Sequence, residues 1–192
     1  MTQPFIIFAL PRSRTKWLSE WLSYDGRKVG HDILVDCATP DEFLEKLSGL
    51  SGTVETSAML AWRLIRARLP NVKIVTVRRP VDEVRRSFER LGVMPQRGEL
   101  EERDAMLDEL ECDRIVSRYD TYELDDVGVL DSLSAFVLGA PIDRQWTAEF
   151  IRRNIQIDMP ARLAKLVANR DRIENLKRLA REQEAALCLT SS

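Results

Sequence analysis

Phe5-Ile6-Ile7-Phe8-Ala9-Leu10-Pro11-Arg12-Ser13-Arg14-Thr15-Lys16-Trp17 decides how this chain is read. The unbroken apolar run Phe5 to Ala9 is the pattern of a strand buried on both faces of a parallel sheet. It breaks at a proline, passes through small and cationic residues, and resumes with Trp17, Leu18, Trp21 and Leu22 on one side of a helix expected from about Thr15 to Tyr24. A strand, a tight turn and a helix in this order place the free amides and the positive end of the helix at the turn, which suits an anion such as phosphate or sulfate. Arg12, Arg14 and Lys16 strengthen that preference.

Further along, strand and helix patterns alternate at βαβ spacing. A short strand near Lys28 to Gly30 brings His31 and Asp32 to its carboxyl end. Thr39 caps a helix opened by Pro40, Gly52 to Glu55 reads as a strand, and a helix carries Met59, Leu60, Leu64 and Ile65. Val72 to Val77 is a second core strand rich in β-branched residues, followed by Arg78-Arg79-Pro80 and a helix from Val81 to Leu91. The expectation is an α/β, three-layer fold of the P-loop NTPase type, with a central parallel sheet and ligands at the carboxyl ends of its strands. The later chain is helix-rich: Glu99 to Cys112, Val127 to Leu138, Gln145 to Arg153 and Pro160 to Leu189 read as helices, with Arg114 to Tyr119 as a last strand. All 192 residues are expected in one domain, with a C-terminal helical extension over about 143–189.

With 44% apolar and 31% charged residues the composition is that of a globular chain. A formal net charge of -2 argues against a general nucleic-acid or membrane-surface binder, since counterion release needs a surplus of cations. Three widely spaced cysteines, Cys37, Cys112 and Cys188, show no metal-ligand spacing; a reducing, cytoplasmic setting and no structural metal are expected.

An ATP-type loop reads GxxxxGK[ST]. With Lys16 as its lysine, Leu10 and Thr15 stand where the glycines belong. The stretch resembles instead the loop of PAPS-dependent sulfotransferases, Pro-Lys/Arg-Ser-Gly-Thr-Thr-Trp, at five of seven positions, with Arg14 replacing the glycine and Lys16 the second threonine. A short subgroup with a Pro-Arg-Ser-Arg-Thr start is the nearest form. In that family an arginine at the end of a later strand and a serine eight residues on hold the donor's 3′-phosphate; Arg79 and Ser87 have this separation, and Arg78 is one residue out of register.

The resemblance implies that PAPS is the sulfuryl donor and PAP the product, without a metal. It implies donor contacts from Arg12, Ser13, Arg14, Thr15, Lys16, Arg78 or Arg79, and Ser87. Arg12 would also be catalytic, through the leaving oxygen. His31, 19 residues after Arg12, is the candidate base, with Asp32 as alternative base or as the group that orients it. For the family's closing basic loop, Arg152, Arg153 and Arg162 are candidates. The acceptor would be a small molecule or glycan, bound by segments around Gly92 to Glu111 and after Gly139. Alternatives are an ATP- and magnesium-dependent small-molecule kinase, with Glu55 or Asp36 as metal ligand, and a non-catalytic nucleotide- or partner-binding descendant. The C-terminal helix, laced with alternating charge, is a candidate homo-oligomer interface.

Overall fold

The computed structural model describes residues 4–93, 95–113, 116–155, 161, 164, 167–168 and 170–190. Its centre is a parallel five-stranded sheet: β1 (Phe5–Ala9), β2 (Val29–His31), β3 (Gly52–Glu55), β4 (Lys73–Arg78) and β5 (Val116–Asp120), in the order β2-β3-β1-β4-β5. β1 lies in the middle, paired Phe5 to Gly52 on one side and Phe5 to Lys73 on the other. The chain leaves it in one direction towards β2 and later crosses over it to β4. The loop after β1 therefore sits at the point where strand order reverses, the place where open α/β sheets form a crevice.

Alternation along β1 builds the two outer layers. Phe5, Ile7 and Ala9 face α1 (Thr15–Leu22), α6 (Val127–Leu138) and α7 (Arg144–Ile151), meeting Trp17, Trp21, Leu133 and Phe150. Ile6, Phe8 and Leu10 face the opposite layer, which holds α2 (Pro40–Ser48), α3 (Trp62–Arg68), α4 (Val81–Glu89) and α5 (Glu99–Glu111). The expected three-layer α/β architecture around a central parallel sheet is the one observed. Thr39 caps α2 by accepting from the Glu42 amide at 3.1 Å, with Pro40 at the first position. At Gly52 an added Cβ would meet the Phe5 ring at 2.5 Å, so this central pairing leaves room for no side chain.

One expected helix is divided. The helix expected over Met59 to Ile65 is divided into a 3-10 turn, Ala58–Ala61, and α3. The start of the last helix at Pro160, like the Arg114 strand start, lies outside the described residues; its described continuous run, α8, is Arg170–Thr190. α8 places Leu176 and Ala180 in the core beside α2 and α3, while Arg178–Glu182 pairs at 2.5 Å on its outer side. Among the described residues no helix is long and apolar enough to cross a membrane.

Candidate functional site

The anion loop makes its turn without glycine. Arg12 (φ 68) and Arg14 (φ 59) are both left-handed, a conformation unusual for residues with long side chains and characteristic of functional loops. Arg14 occupies the N-cap of α1 with no side-chain cap on the helix amides. The conformation is held from outside: the Arg14 guanidinium pairs with Asp125 at 2.7 Å and lies 4.2 Å above the Trp17 ring. Arg79 donates to the Arg12 carbonyl from across the sheet end. Arg14 thus makes the left-handed turn without glycine and adds a cation that reaches outward.

Three of the expected donor residues converge. Arg12 Nε donates to Ser87 Oγ at 3.2 Å, and Arg79 spans from β4 to the loop, with its Nε 3.4 Å from Glu83. Ser87 is buried on α4, as its place at the edge of the helix's apolar face implies. Burial, then repulsion from Arg79 and Arg90, lowers the Arg12 pKa below its ordinary value. Ser13 is fully buried, and its Oγ has no hydrogen-bond partner among the described residues. A polar atom left unsatisfied beside uncapped helix amides fits an anion that would complete it.

On the other flank Thr15 Oγ1 lies 3.1 Å from His31 Nε2, so the loop touches the candidate base directly. His31 Nε2 is 3.8 Å from Asp32 Oδ2. Asp32 is left-handed (φ 51) and buried, and Oδ1 accepts from both the Thr56 amide, at 2.6 Å, and its hydroxyl, at 2.9 Å. Glu55 reciprocates: its Oε1 accepts from the Ile33 amide at 2.7 Å and from Thr53 at 2.6 Å. The ends of β2 and β3 are thus cross-braced by two carboxylates, each holding the backbone just beyond the other's strand. Burial first, and the nearby Asp32 charge second, push the Glu55 carboxyl up to about 8.

No protein family and no curated protein matches this sequence. The chain is similar to a gluconokinase from Sinorhizobium meliloti 1021, at 12% identity and a TM-score of 0.42, over 88% of this chain and 97% of that chain. A likeness at that level selects neither a donor nor an acceptor.

The remaining expected donor residues lie elsewhere. Arg78 turns to the opposite layer and is enclosed by Asp104 at 2.5 Å, Glu111 at 2.7 Å and Asp108 of α5. Its burial opposes the charge, but Glu111 and the two aspartates outweigh that and hold its pKa above the ordinary value. This is a brace between β4 and α5. Asp108 is largely exposed and would be rehydrated, but Glu111 is largely buried and would keep only its 3.4 Å pairing with Arg118, so Arg78→Met is expected to cost about 2–4 kcal/mol, read from the urea midpoint, with ligand affinity unchanged. Lys16 points down its helix to Glu20 at 3.1 Å. Arg153 stacks on Trp146 and Phe150, and Arg162 lies outside the described residues.

Two site features go beyond the residues named from sequence. Arg79, Glu83, Arg86, Glu89 and Arg90 line an open cleft of about 570 Å³. Arg86, Glu89 and Arg90 are exposed there, while Arg85 beside them is half-buried and pairs with Asp82 and Glu101. The 79, 83, 86, 90 spacing is a one-face helical pattern and was the available signal. The Glu55–Thr56 half of the brace had none, because its partners are neighbours only in the sheet. Among the described residues no cluster of three or more His, Cys, Asp or Glu forms a metal site.

Proposed function

We propose that the chain transfers a sulfuryl group from PAPS to a hydroxyl or amine acceptor. The observation that carries the reading is the contact of Arg12 with Ser87, tied by Arg79, which merges two separately recognised anion-binding segments into one cationic surface. A nucleotide with charged groups at two ends suits such a surface. Arg12, Thr15 and the α1 amides would hold the 5′-phosphosulfate; Arg79 and Ser87 would hold the 3′-phosphate. The donor supplies an activated sulfuryl group on a phosphate leaving group. Arg12 places fixed, forked charge where the leaving oxygen gains negative charge. His31 takes the proton that the acceptor loses as its oxygen or nitrogen attacks sulfur, and the Asp32 carboxylate, 3.8 Å away, favours the resulting imidazolium. In-line placement by a braced frame provides much of the rate in such transfers.

A kinase reading is the second, and Lys16 at the P-loop lysine's position favours it. Against it, the following residue, where that motif carries a metal-binding hydroxyl, is Trp17, buried and stacked on Trp21 at 5.9 Å. Glu55, the carboxylate that would serve a metal, is driven towards its neutral form by burial. Calorimetric titration separates the readings. Adenosine 3′,5′-bisphosphate is expected to bind at least about tenfold more tightly than ATP with magnesium, and Ser87→Ala to weaken it by about five- to tenfold. Tighter binding of ATP with magnesium would favour the kinase. Bisphosphate binding without transfer to a broad acceptor panel would favour a non-catalytic descendant.

A further inference from the structure

Arg14 and Arg79, on the two flanks of the anion loop, are each paired with a carboxylate, and both pairings lead to one turn. Because the strands are parallel, the Glu123–Asp125 turn after β5 emerges at the same end of the sheet as the loop after β1. On one flank Asp125 accepts from the Arg14 guanidinium at 2.7 Å. On the other, the Tyr122 hydroxyl donates to Glu83 Oε1, and Oε2 of the same carboxylate lies 3.4 Å from Arg79 Nε. Donation from Tyr122, aided by Arg79, lowers the Glu83 pKa below its ordinary value, so this counter-ion is charged at neutral pH.

The base of the turn is fixed and its tips are in water. Leu124 is buried in the layer that holds Trp17 and Leu130. The Thr121 amide donates to the Arg78 carbonyl at 2.9 Å, and Asp126 caps α6 by accepting from the Gly128 amide at 2.6 Å. Asp125 and Tyr122, by contrast, are mostly exposed. An ion pair so exposed shifts an equilibrium by at most about fivefold. A phosphate carries more charge and can accept two parallel bonds from one guanidinium, so it displaces a single carboxylate from the same cation.

We propose that this turn is a counter-ion clamp on the anion site: Asp125 and Glu83 neutralise Arg14 and Arg79 in the free chain, and an entering donor takes both arginines from them. The assignment rests on the donor reading proposed above. A ligand charged at one end releases one pair and leaves the other closed, whereas a nucleotide with phosphates at both ends replaces both. With the turn anchored, release is a change of side-chain partners rather than the opening of a lid. Arg79 keeps its bond to the Arg12 carbonyl through Nη1 while Nε changes partner, and Arg14 keeps the Trp17 ring beneath it.

Calorimetry on the intact chain tests this with adenosine 3′,5′-bisphosphate and 5′-AMP, and urea midpoints check that the variants fold. Asp125→Asn, which keeps the shape and removes the charge, should tighten the bisphosphate by about three- to fivefold, and Glu83→Gln should do the same. 5′-AMP, lacking the 3′-phosphate, should gain from Asp125→Asn and change by less than about twofold in Glu83→Gln. Asp120→Asn removes a charge from the same segment whose partner is Arg118, 3.8 Å away, and should change bisphosphate affinity by less than about twofold. Weaker bisphosphate binding in Asp125→Asn would make that residue a support of the Arg14 turn and overturn the clamp. Equal tightening in Asp120→Asn, the mark of a general field, would overturn it too. A bisphosphate no tighter than 5′-AMP on the unmodified chain overturns the donor reading instead, and Asp125→Asn read with 5′-AMP then still decides the clamp at the loop. Binding of neither nucleotide overturns both.

Discussion

Arg12→Ala is expected to reduce transfer by about 10²–10³-fold while the chain stays folded. The side chain's hydrogen bond in the structure is the 3.2 Å donation to Ser87. Its backbone turn is held through the carbonyl, by Arg79, and that contact survives the substitution. Removing the guanidinium also relieves its repulsion with Arg79 and Arg90, so the loss of stability should stay within about 1 kcal/mol. The effect on rate is far larger because charge accumulates on the leaving oxygen only in the transition state. Arg12→Lys retains the charge and loses the fork, and should fall between the two, with about tenfold lower turnover. Steady-state kinetics with a far-ultraviolet dichroism check reads both variants. Turnover in Arg12→Ala equal to that of the unmodified chain would refute a transition-state role.

The second large effect concerns stability. Glu55→Gln should stabilise the chain, increasingly so as pH rises from 5 to 8. A free glutamate titrates near 4.3, whereas burial and Asp32 move this one up to about 8. Between those values the folded chain retains a proton that the unfolded chain has released, so for this group stability falls with rising pH. Glutamine mimics the neutral acid, still accepts from Ile33 and Thr53, and has no proton to lose. Equal stability near pH 5 and a gain of roughly 2–4 kcal/mol for the variant at pH 8 are expected, from urea midpoints at both pH values. A difference between variant and parent that does not change with pH would show that Glu55 is ionised in the fold. Asp32, its partner in the brace, remains in place to hold the β2 end through Thr56.

The two supersecondary units β1–loop–α1 and β4–α4 were legible because each declares itself locally, by an apolar run, a breaker and a helical face. Their convergence was legible through a family pattern, since nothing local relates Arg12 to a serine 75 positions away. The choice between Arg78 and Arg79 shows where local reading ends. Arg78 is the last residue of β4 and shares parity with Ile74 and Thr76, which points it to the α5 layer. That much the strand pattern contains; the carboxylates awaiting it on α5 depend on how that helix packs. Backbone strain was equally hidden, since no composition rule predicts two left-handed arginines in one turn. The brace of Asp32, Thr56 and Glu55 needs strand order before it can be seen at all.

The aromatic packing behind the loop turns the chain into its own optical sensor. Trp17 carries the Arg14 guanidinium on its face, stacks on Trp21 and meets the edge of Phe150, which in turn contacts Trp146. Three of the four indoles are thus coupled within one cluster whose first member lies under an anion-seeking side chain. Movement of Arg14 from Asp125 to an incoming anion would alter the field at that ring, and the native emission spectrum would register occupancy of the loop without any added label.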